Sequence, residues 1–296
     1  MATLKALKTR IGSVSSSEKI TGAMKMISSA KVHKNEAELR KLLPFKNQVK
    51  SIMGHLLDTG VEFDSPLLEK REVKRIGVVV YGTDDGLCGA YNLNVFKHLL
   101  IEISRLRQEY GDNVVLTVLP VGKKIAKAVS RMHSTGIEVK IIDGVDSKML
   151  PTAVNEFVHD LKGSFVSGEF DLIEVVYMQF KSMSKQMLKV EQLFPVSNSA
   201  IEGDNQERET ENKLYIFEPD ANSIFNEVLP MFVLSTMQEI TIENRASEQA
   251  ARVMAMQSAN DNAKKLLESL QLEFNKLRQQ GITTELLDIL GGQVER

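Results

Sequence analysis

The residues best suited to chemistry lie in a glycine-rich loop, residues 82–89, which follows an apolar β-branched run and precedes a helical stretch. A phosphate-binding loop occupies this position in nucleotide-binding folds. The loop lacks the Gly-Lys-Ser/Thr ending of a P-loop and the GxGxxG pattern, and the carboxylates of Asp84 and Asp85 would repel a phosphate. The sequence therefore predicts tight-turn glycines here, and no cofactor is expected.

Other reactive side chains form no recognisable constellation. The single cysteine, Cys88, has no activating partner nearby in the sequence, so we expect a packed thiol. The histidines show no metal-binding spacing with one another or with Cys88; they are His33, His55, His98, His133 and His159. There is no Gly-x-Ser-x-Gly elbow and no recognisable acid/base pair. We expect neither catalytic nor metal-binding residues.

Charge is distributed unevenly along the chain. The formal net charge is −2, yet residues 1–50 carry eleven Lys/Arg against three acids, a local net of +8. This segment suits an acidic partner, anionic lipid or nucleic acid, while a solvated helix face remains the alternative. Phe45 is the only aromatic residue in it, which disfavours nucleic acid. No run approaches about 18 apolar residues, so membrane contact is expected only through partners.

Both ends of the chain show helical periodicity. Steps of three and four, typical of a coiled-coil seam, join Leu4, Leu7, Ile11 and Val14, then Ile20, Met24 and Ile27, and later Leu39, Leu42, Val49, Ile52 and Leu56. The interruption between them falls at residues 13–17. Pro44 is expected to kink or break this helix, and Gly60 to end it. Because the seam begins at Leu4, the basic N-terminus is interpreted as part of the fold and not as a transit peptide.

The C-terminal helix is expected from Ser223 to Leu290, with Ser223 as its N-terminal cap. Its apolar seam comprises Ala246, Ala250, Val253, Ala263, Leu267, Leu270, Phe274 and Leu277. A helix of about 65 residues spans about 100 Å, whereas a compact chain of this size is only about 50 Å across. The helix must therefore protrude and pair with the N-terminal helix, unless it folds back at Pro230 or Gly281.

Alternating strands and helices between these ends predict a parallel, doubly wound sheet. Strands are expected at 75–81, 114–119, 137–142 and 172–180, helices at 93–110, 123–132 and 148–166, and an edge strand at 186–193. The fold class is thus α/β: a long antiparallel coiled coil of terminal helices with an inserted Rossmann-like domain. The predicted divisions are an N-terminal shaft helix at 1–60, the α/β domain at 72–196, a polar loop at 197–213 and the C-terminal shaft segment at 214–296.

Several blocks resemble the gamma subunit of F-type ATP synthase, in order along nearly the whole chain. They are residues 19–31, 85–92, 218–220, 243–252, 270–279 and 282–290. Many family members have Arg where Asp85 stands and Gly where Ala90 stands, and many have a shorter loop than 197–213.

The resemblance implies a non-catalytic rotor. In this family the terminal helices thread a hexameric ring of alpha and beta subunits, and the α/β domain stands with the epsilon subunit on the membrane c-ring. Proton or sodium flow turns the shaft and thereby drives ATP synthesis. The beta-subunit contacts implied by the matching positions are Met24, Lys25, Arg278, Gln279, Thr283 and Glu285, and the tip implied to sit in the ring's apolar collar comprises Leu286, Leu287, Ile289 and Leu290.

With no transit peptide expected, the implied location is the cytoplasmic face of a bacterial inner membrane, as a peripheral protein. Two rival hypotheses remain from the residues alone. One is an enzyme with a nucleotide site at residues 82–89. The other is a free-standing coiled-coil scaffold, which would form a homodimer through its helices instead of pairing its own two ends.

Overall fold

The computed structural model describes residues 4–57, 63–132, 137–197 and 217–294, apart from the side chains of residues 288 and 291–294. The elements, in chain order, are α1 (Leu4–Leu57), β1 (Arg75–Tyr81), α2 (Tyr91–Tyr110), β2 (Val115–Val121), α3 (Lys123–Val129), β3 (Ile137–Val139), α4 (Pro151–Val166), β4 (Leu172–Phe180), β5 (Gln186–Phe194) and α5 (Ala221–Val294). The expected stop at Gly60 and nearly all of the 197–213 loop lie outside the described residues.

The terminal helices form an antiparallel pair, here called the shaft. Asn260 on α5 donates a 2.7 Å hydrogen bond to the Glu18 carbonyl on α1, and nearer the sheet Arg245 pairs with Glu38 at 3.2 Å. Residue numbers rise along one helix as they fall along the other, which confirms the antiparallel coiled coil. α5 is continuous over 74 residues, through Pro230 and Gly281, and spans about 110 Å. It does not fold back.

The α1 seam differs from the predicted one after Val14. Ile20 and Ile27 are 59% and 57% exposed, and Ile52 is also exposed. The strict alternation of threes and fours continues without interruption through buried or half-buried side chains: Glu18, Thr21, Lys25, Ser28, Val32, Asn35, Leu39, Leu42, Lys46, Val49, Met53 and Leu56. The prediction holds for Leu39, Leu42, Val49 and Leu56 and is wrong for Ile20, Ile27 and Ile52. It followed apolar residues, whereas much of this seam is packed with small and polar ones. The predicted α5 seam is confirmed.

Two further helix details bear on the sequence interpretation: Pro44 does not break α1, and α5 is capped at a residue other than the expected one. α1 continues through Pro44. Because proline has no amide hydrogen, the carbonyl of Arg40 loses its helical donor. Pro44 and Arg40 are both exposed, so water can satisfy that carbonyl. α5 begins two residues before Ser223. Asp220, directly before the helix, accepts hydrogen bonds from the Ser223 amide at 2.9 Å and the Ser223 hydroxyl at 2.6 Å. Asp220 is therefore the N-terminal cap, because its carboxylate satisfies a first-turn amide.

The described sheet has five strands in the order β3-β2-β1-β4-β5. The first four are parallel and β5 pairs antiparallel with β4, so the doubly wound sheet and its edge strand are confirmed. β3 is shorter than expected and ends at Val139. α4 begins at Pro151, later than expected, because proline suits the first turn of a helix.

The two faces of the sheet bury different helices. One face, with Val79, Tyr81 and Val175, packs against α4 and the early part of α5. The opposite face, with Val78 and Val80, packs against α2 and residues of α3. The inserted domain is therefore attached directly to the shaft by an apolar core. In the described part of the chain no helix is long and apolar enough to cross a membrane.

Candidate functional site

The carboxyl end of β1 and the loop after it, residues 82–89, meet α5 in a buried polar contact, here called the junction. The Asn244 side-chain amide donates a 3.0 Å hydrogen bond to the Gly82 carbonyl, and the Tyr91 phenol donates a 2.7 Å bond to Asn244 Oδ1. The phenol of Tyr81 shares a 3.0 Å hydrogen bond with the Thr241 hydroxyl. Thr241 and Asn244 lie on one face of α5, so one helix face binds the end of β1 and the start of α2 together.

An ion pair extends the junction along α5. Arg252 and Glu248, one turn apart, pair at 2.7 Å with side chains only 6% and 3% exposed. Arg252 also donates from Nε to the Gly86 carbonyl at 3.2 Å. Burial raises the pKa of the Glu248 carboxyl, and the neighbouring Arg252 opposes that rise. Since both charges are buried and partnered, the pair fixes the position of the loop against the helix.

The acidic residues of the loop are used in structure. Asp84 accepts hydrogen bonds from the Lys123 amide at 2.9 Å and from the amide and hydroxyl of Ser147 at 3.1 and 2.8 Å. Its carboxylate thus ties the loop to the first residue of α3 and to Ser147. Asp85 pairs with Lys148 at 2.8 Å, and Lys148 lowers the pKa of the Asp85 carboxyl.

Glycine and cysteine in the loop behave as the sequence predicts. A Cβ added to Gly82 would lie 2.4 Å from the Cβ of Ile125, so the close packing of β1 against α3 requires glycine there. Gly89 adopts a φ of +61°, which glycine accommodates readily. The Cys88 thiol is buried, and that burial raises its pKa, so it is a packed thiol.

A second buried carboxylate faces the sheet from α5. Glu243 is 6% exposed, and its Oε2 has no hydrogen-bond partner among the described residues. Burial raises the pKa of Glu243 to about 7, and the neighbouring Glu239 carboxylate contributes to this rise. Lys189 opposes the rise, and Glu191 adds to it. Glu239 itself is paired with Lys46 of α1. Burial therefore favours the protonated form of the Glu243 carboxyl over the charged form.

These contacts join a long shaft to an α/β domain, and comparison with known proteins shows the family of the chain. The sequence profile described as ATP synthase matches residues 3–294. The chain is 38% identical over 303 residues to the ATP synthase gamma chain of Bacteroides thetaiotaomicron, covering 100% of both chains. The chain belongs to the ATP synthase gamma family.

Other gamma-family relatives and solved structures agree. The gamma chain of Cupriavidus pinatubonensis is 35% identical, with 99% of each chain covered. The rotor of the Euglena gracilis mitochondrial ATP synthase matches the fold with a TM-score of 0.60 at 17% identity, covering 94% of this chain and 98% of that one. The central stalk of the Tetrahymena thermophila mitochondrial enzyme matches with a TM-score of 0.56 at 20% identity, covering 81% and 99%.

The ring-contact residues implied by the gamma family lie in two separate places. Met24 and Lys25 are half-buried on α1, while Arg278, Gln279, Thr283 and Glu285 are exposed on α5. By the Glu18–Asn260 pairing, residue 24 lies opposite about residue 254, so Arg278 is about 36 Å further along the shaft. The structure does not bring the two groups together.

The four residues that the family resemblance implies for the tip of the shaft are apolar and exposed to solvent in the isolated chain. Leu286, Leu287, Ile289 and Leu290 are 55–62% exposed. The same pairing places Leu4, where the described part of α1 begins, opposite about residue 274, so the last 20 or so residues of α5 extend beyond it. The tip is therefore presented as a single helix.

The junction residues were not found from the sequence. Asn244, Glu248 and Arg252 lie within the block 243–252 that carries part of the resemblance, and Thr241 lies just before it. The contacts of these four residues with the sheet domain were not predicted. The sequence feature that could have indicated these contacts is the spacing of the four residues by three and four positions. This spacing places four polar side chains on one face of a helix whose seam is otherwise buried. Polar residues on such a face need partners. The end of β1, the loop after it and the start of α2 provide them.

Proposed function

We propose that this chain is the central-stalk rotor of an F-type ATP synthase and transmits rotation between a membrane c-ring and catalytic beta subunits. The observation that carries the proposal is the junction. It joins the 74-residue helix α5 to the α/β domain through buried hydrogen bonds and an ion pair, so torque applied to that domain reaches the shaft. Family membership supplies the partners: the alpha and beta subunits, the epsilon subunit and the c-ring.

The proposed rotor performs no chemistry of its own. Each orientation of an asymmetric shaft contacts the surrounding subunits differently, and such differential contacts shift a subunit between conformations. The half-buried Met24 and Lys25, and Arg278, Gln279, Thr283 and Glu285 nearer the tip, are proposed to provide those contacts with beta subunits. Leu286, Leu287, Ile289 and Leu290 are proposed to turn within an apolar collar. The proposed location is peripheral, on the cytoplasmic face of a bacterial inner membrane.

The scaffold alternative is not favoured by the packing. A scaffold that dimerises through its helices needs a free seam, yet the seam of α1 is packed against α5 of the same chain. The enzyme alternative needs a nucleotide site at residues 82–89. There the Asp84 carboxylate accepts a hydrogen bond from the Lys123 amide, and the Gly86 carbonyl accepts one from Arg252, so the packing does not favour that alternative.

Co-purification from the native cell tests the proposal. The tagged full chain, after mild solubilisation, is expected to recover alpha and beta subunits at about three copies of each per shaft, with ATPase activity in the complex. Recovery of the chain alone or as a homodimer, without these partners, would contradict the rotor function.

A further inference from the structure

A cavity of about 240 Å³ lies between the shaft and the start of α4. Apolar side chains from three separate segments line this open cavity: Leu42 of α1, Ile242 of α5, and Met149 and Val154 from the α4 side. Volumes of about 300–1,000 Å³ are typical for drug-sized ligands, and this smaller space suits one or two fused aromatic rings or a short chain.

The polar side chains of the cavity are two cations, one acid, and the neutral Gln238 and Thr241. Lys41 and Arg245 line it, and Glu38 is the acid among the lining residues. Glu38 accepts a 3.2 Å hydrogen bond from Nη2 of Arg245. The two cations and this one carboxylate have a formal net charge of +1. The Nε of Arg245 is buried and has no hydrogen-bond partner among the described residues.

The start of α4 adds to the positive potential. Pro151 is the first residue of α4 and lines the cavity, and the residue before it, Leu150, provides no side-chain cap. The first amides of a helix that lacks a capping side chain favour nearby negative charge. Apolar walls and a cationic rim together match an amphiphilic anion.

We propose that this cavity binds a small apolar monocarboxylate, either an aryl or a short-chain acid, with its carboxylate near Arg245 and Lys41 and its apolar part against Met149 and Val154. Such a ligand would contact the shaft and the α/β domain at once. Binding to the folded chain alone would therefore raise its resistance to unfolding. The proposal concerns a ligand site and does not depend on the rotor function.

The test uses the full-length chain with 13C-methyl-labelled methionine and 1-naphthoate as the probe. The Met149 methyl signal is expected to shift saturably, while that of Met254, which is 48% exposed elsewhere on α5, stays fixed. The neutral analogue 1-naphthalenemethanol is expected to bind about tenfold more weakly, since it lacks the charge-assisted hydrogen bond. Equal binding of the two probes, or no Met149 shift at about 10 mM naphthoate, would overturn the proposal.

Two variants and a control locate the site. Arg245→Gln is expected to weaken naphthoate binding about tenfold, and Leu42→Trp, which fills the cavity, is expected to abolish it. Lys140→Gln removes a cation from a different cavity on the α/β domain and should leave binding unchanged. Normal thermal unfolding of each variant shows that it is folded. Wild-type affinity in a folded Arg245→Gln or Leu42→Trp variant would place the probe elsewhere and reject the site.

Discussion

The phenol of Tyr91, at the start of α2, donates a 2.7 Å hydrogen bond to the side chain of Asn244 on α5. Both residues are buried, and Asn244 in turn donates to the Gly82 carbonyl at 3.0 Å. One asparagine thus connects two elements of the α/β domain to the shaft. Because these groups are shielded from water, removing either partner leaves a polar atom unsatisfied.

Tyr91→Phe is expected to lower the free energy of unfolding by about 1–2 kcal/mol, because it leaves Asn244 Oδ1 without its donor. In an Asn244→Leu background the same change should cost much less, since the acceptor is already gone. Urea denaturation of the four proteins measures the coupling. Tyr110→Phe, at the half-buried far end of α2, is the matched control, and additive effects of Tyr91 and Asn244 would contradict the bridge.

Arg252→Leu is expected to cost about 3 kcal/mol of unfolding free energy, because Glu248 would remain buried without its partner. The double variant Arg252→Leu/Glu248→Leu should recover part of this loss, since no buried charge is left. Thermal and urea unfolding provide the measurement. Lys140→Leu, which breaks the exposed Lys140–Glu169 pair, is the control and should cost under about 1 kcal/mol of unfolding free energy. A similar cost for the buried and the exposed pair would contradict the role of burial.

Gly82→Ala is expected to destabilise the α/β domain by about 1–3 kcal/mol, because the new methyl group would lie 2.4 Å from Ile125 Cβ. Gly86→Ala is the matched control, since its added Cβ would meet only Lys124 Cε at 3.9 Å. The two variants are compared by urea denaturation and by the yield of assembled complex. Equal stability of both would show that β1 and α3 can separate without cost.

Glu243→Gln is expected to change how stability depends on pH. Burial raises the folded-state pKa of Glu243 to about 7 from an ordinary 4.5, so the folded chain holds a proton that the unfolded chain releases. This carboxyl therefore makes stability fall as pH rises from 4.5 to 7, with the penalty constant above that range.

The glutamine variant should match the wild type near pH 5 and exceed it at pH 8 by about 1 kcal/mol, allowing for partial solvent screening. Unfolding free energies measured from pH 5 to 8 give the difference curve. Because Glu174 and Glu248 are present in both proteins, their titration cancels. A difference that does not vary with pH would show that Glu243 is charged throughout.

Removal of the last ten residues is expected to weaken coupling between ion flow and ATP synthesis, because it deletes Leu287, Ile289 and Leu290 from the exposed tip. The α/β domain should stay folded, since its core does not include the tip. ATP synthesis and proton pumping by membranes carrying the variant measure coupling, and circular dichroism of the purified chain reports folding. Unchanged coupling would remove the proposed role of the collar.

The sequence by itself determined the architecture of this protein. Apolar, β-branched runs alternating with helical stretches predicted the sheet, and β1 and β4 were located to the residue. The length of the C-terminal helix required a protruding shaft, since about 100 Å of helix does not fit within a globule of about 50 Å. The α5 seam was also predictable, because there small and large apolar residues occur at regular spacing.

Only the tertiary structure decided what the polar residues contact. The α1 seam passes through Glu18, Thr21, Lys25 and Ser28, which composition alone assigns to a solvent-exposed face. The partners of Asn244 and Arg252 are more than 150 residues away in the chain, at Tyr91 and Gly86. Local periodicity reports which residues share a face of a helix, but a buried polar group is stabilised by a specific partner. That partner is brought into range only when the inserted domain packs against the shaft.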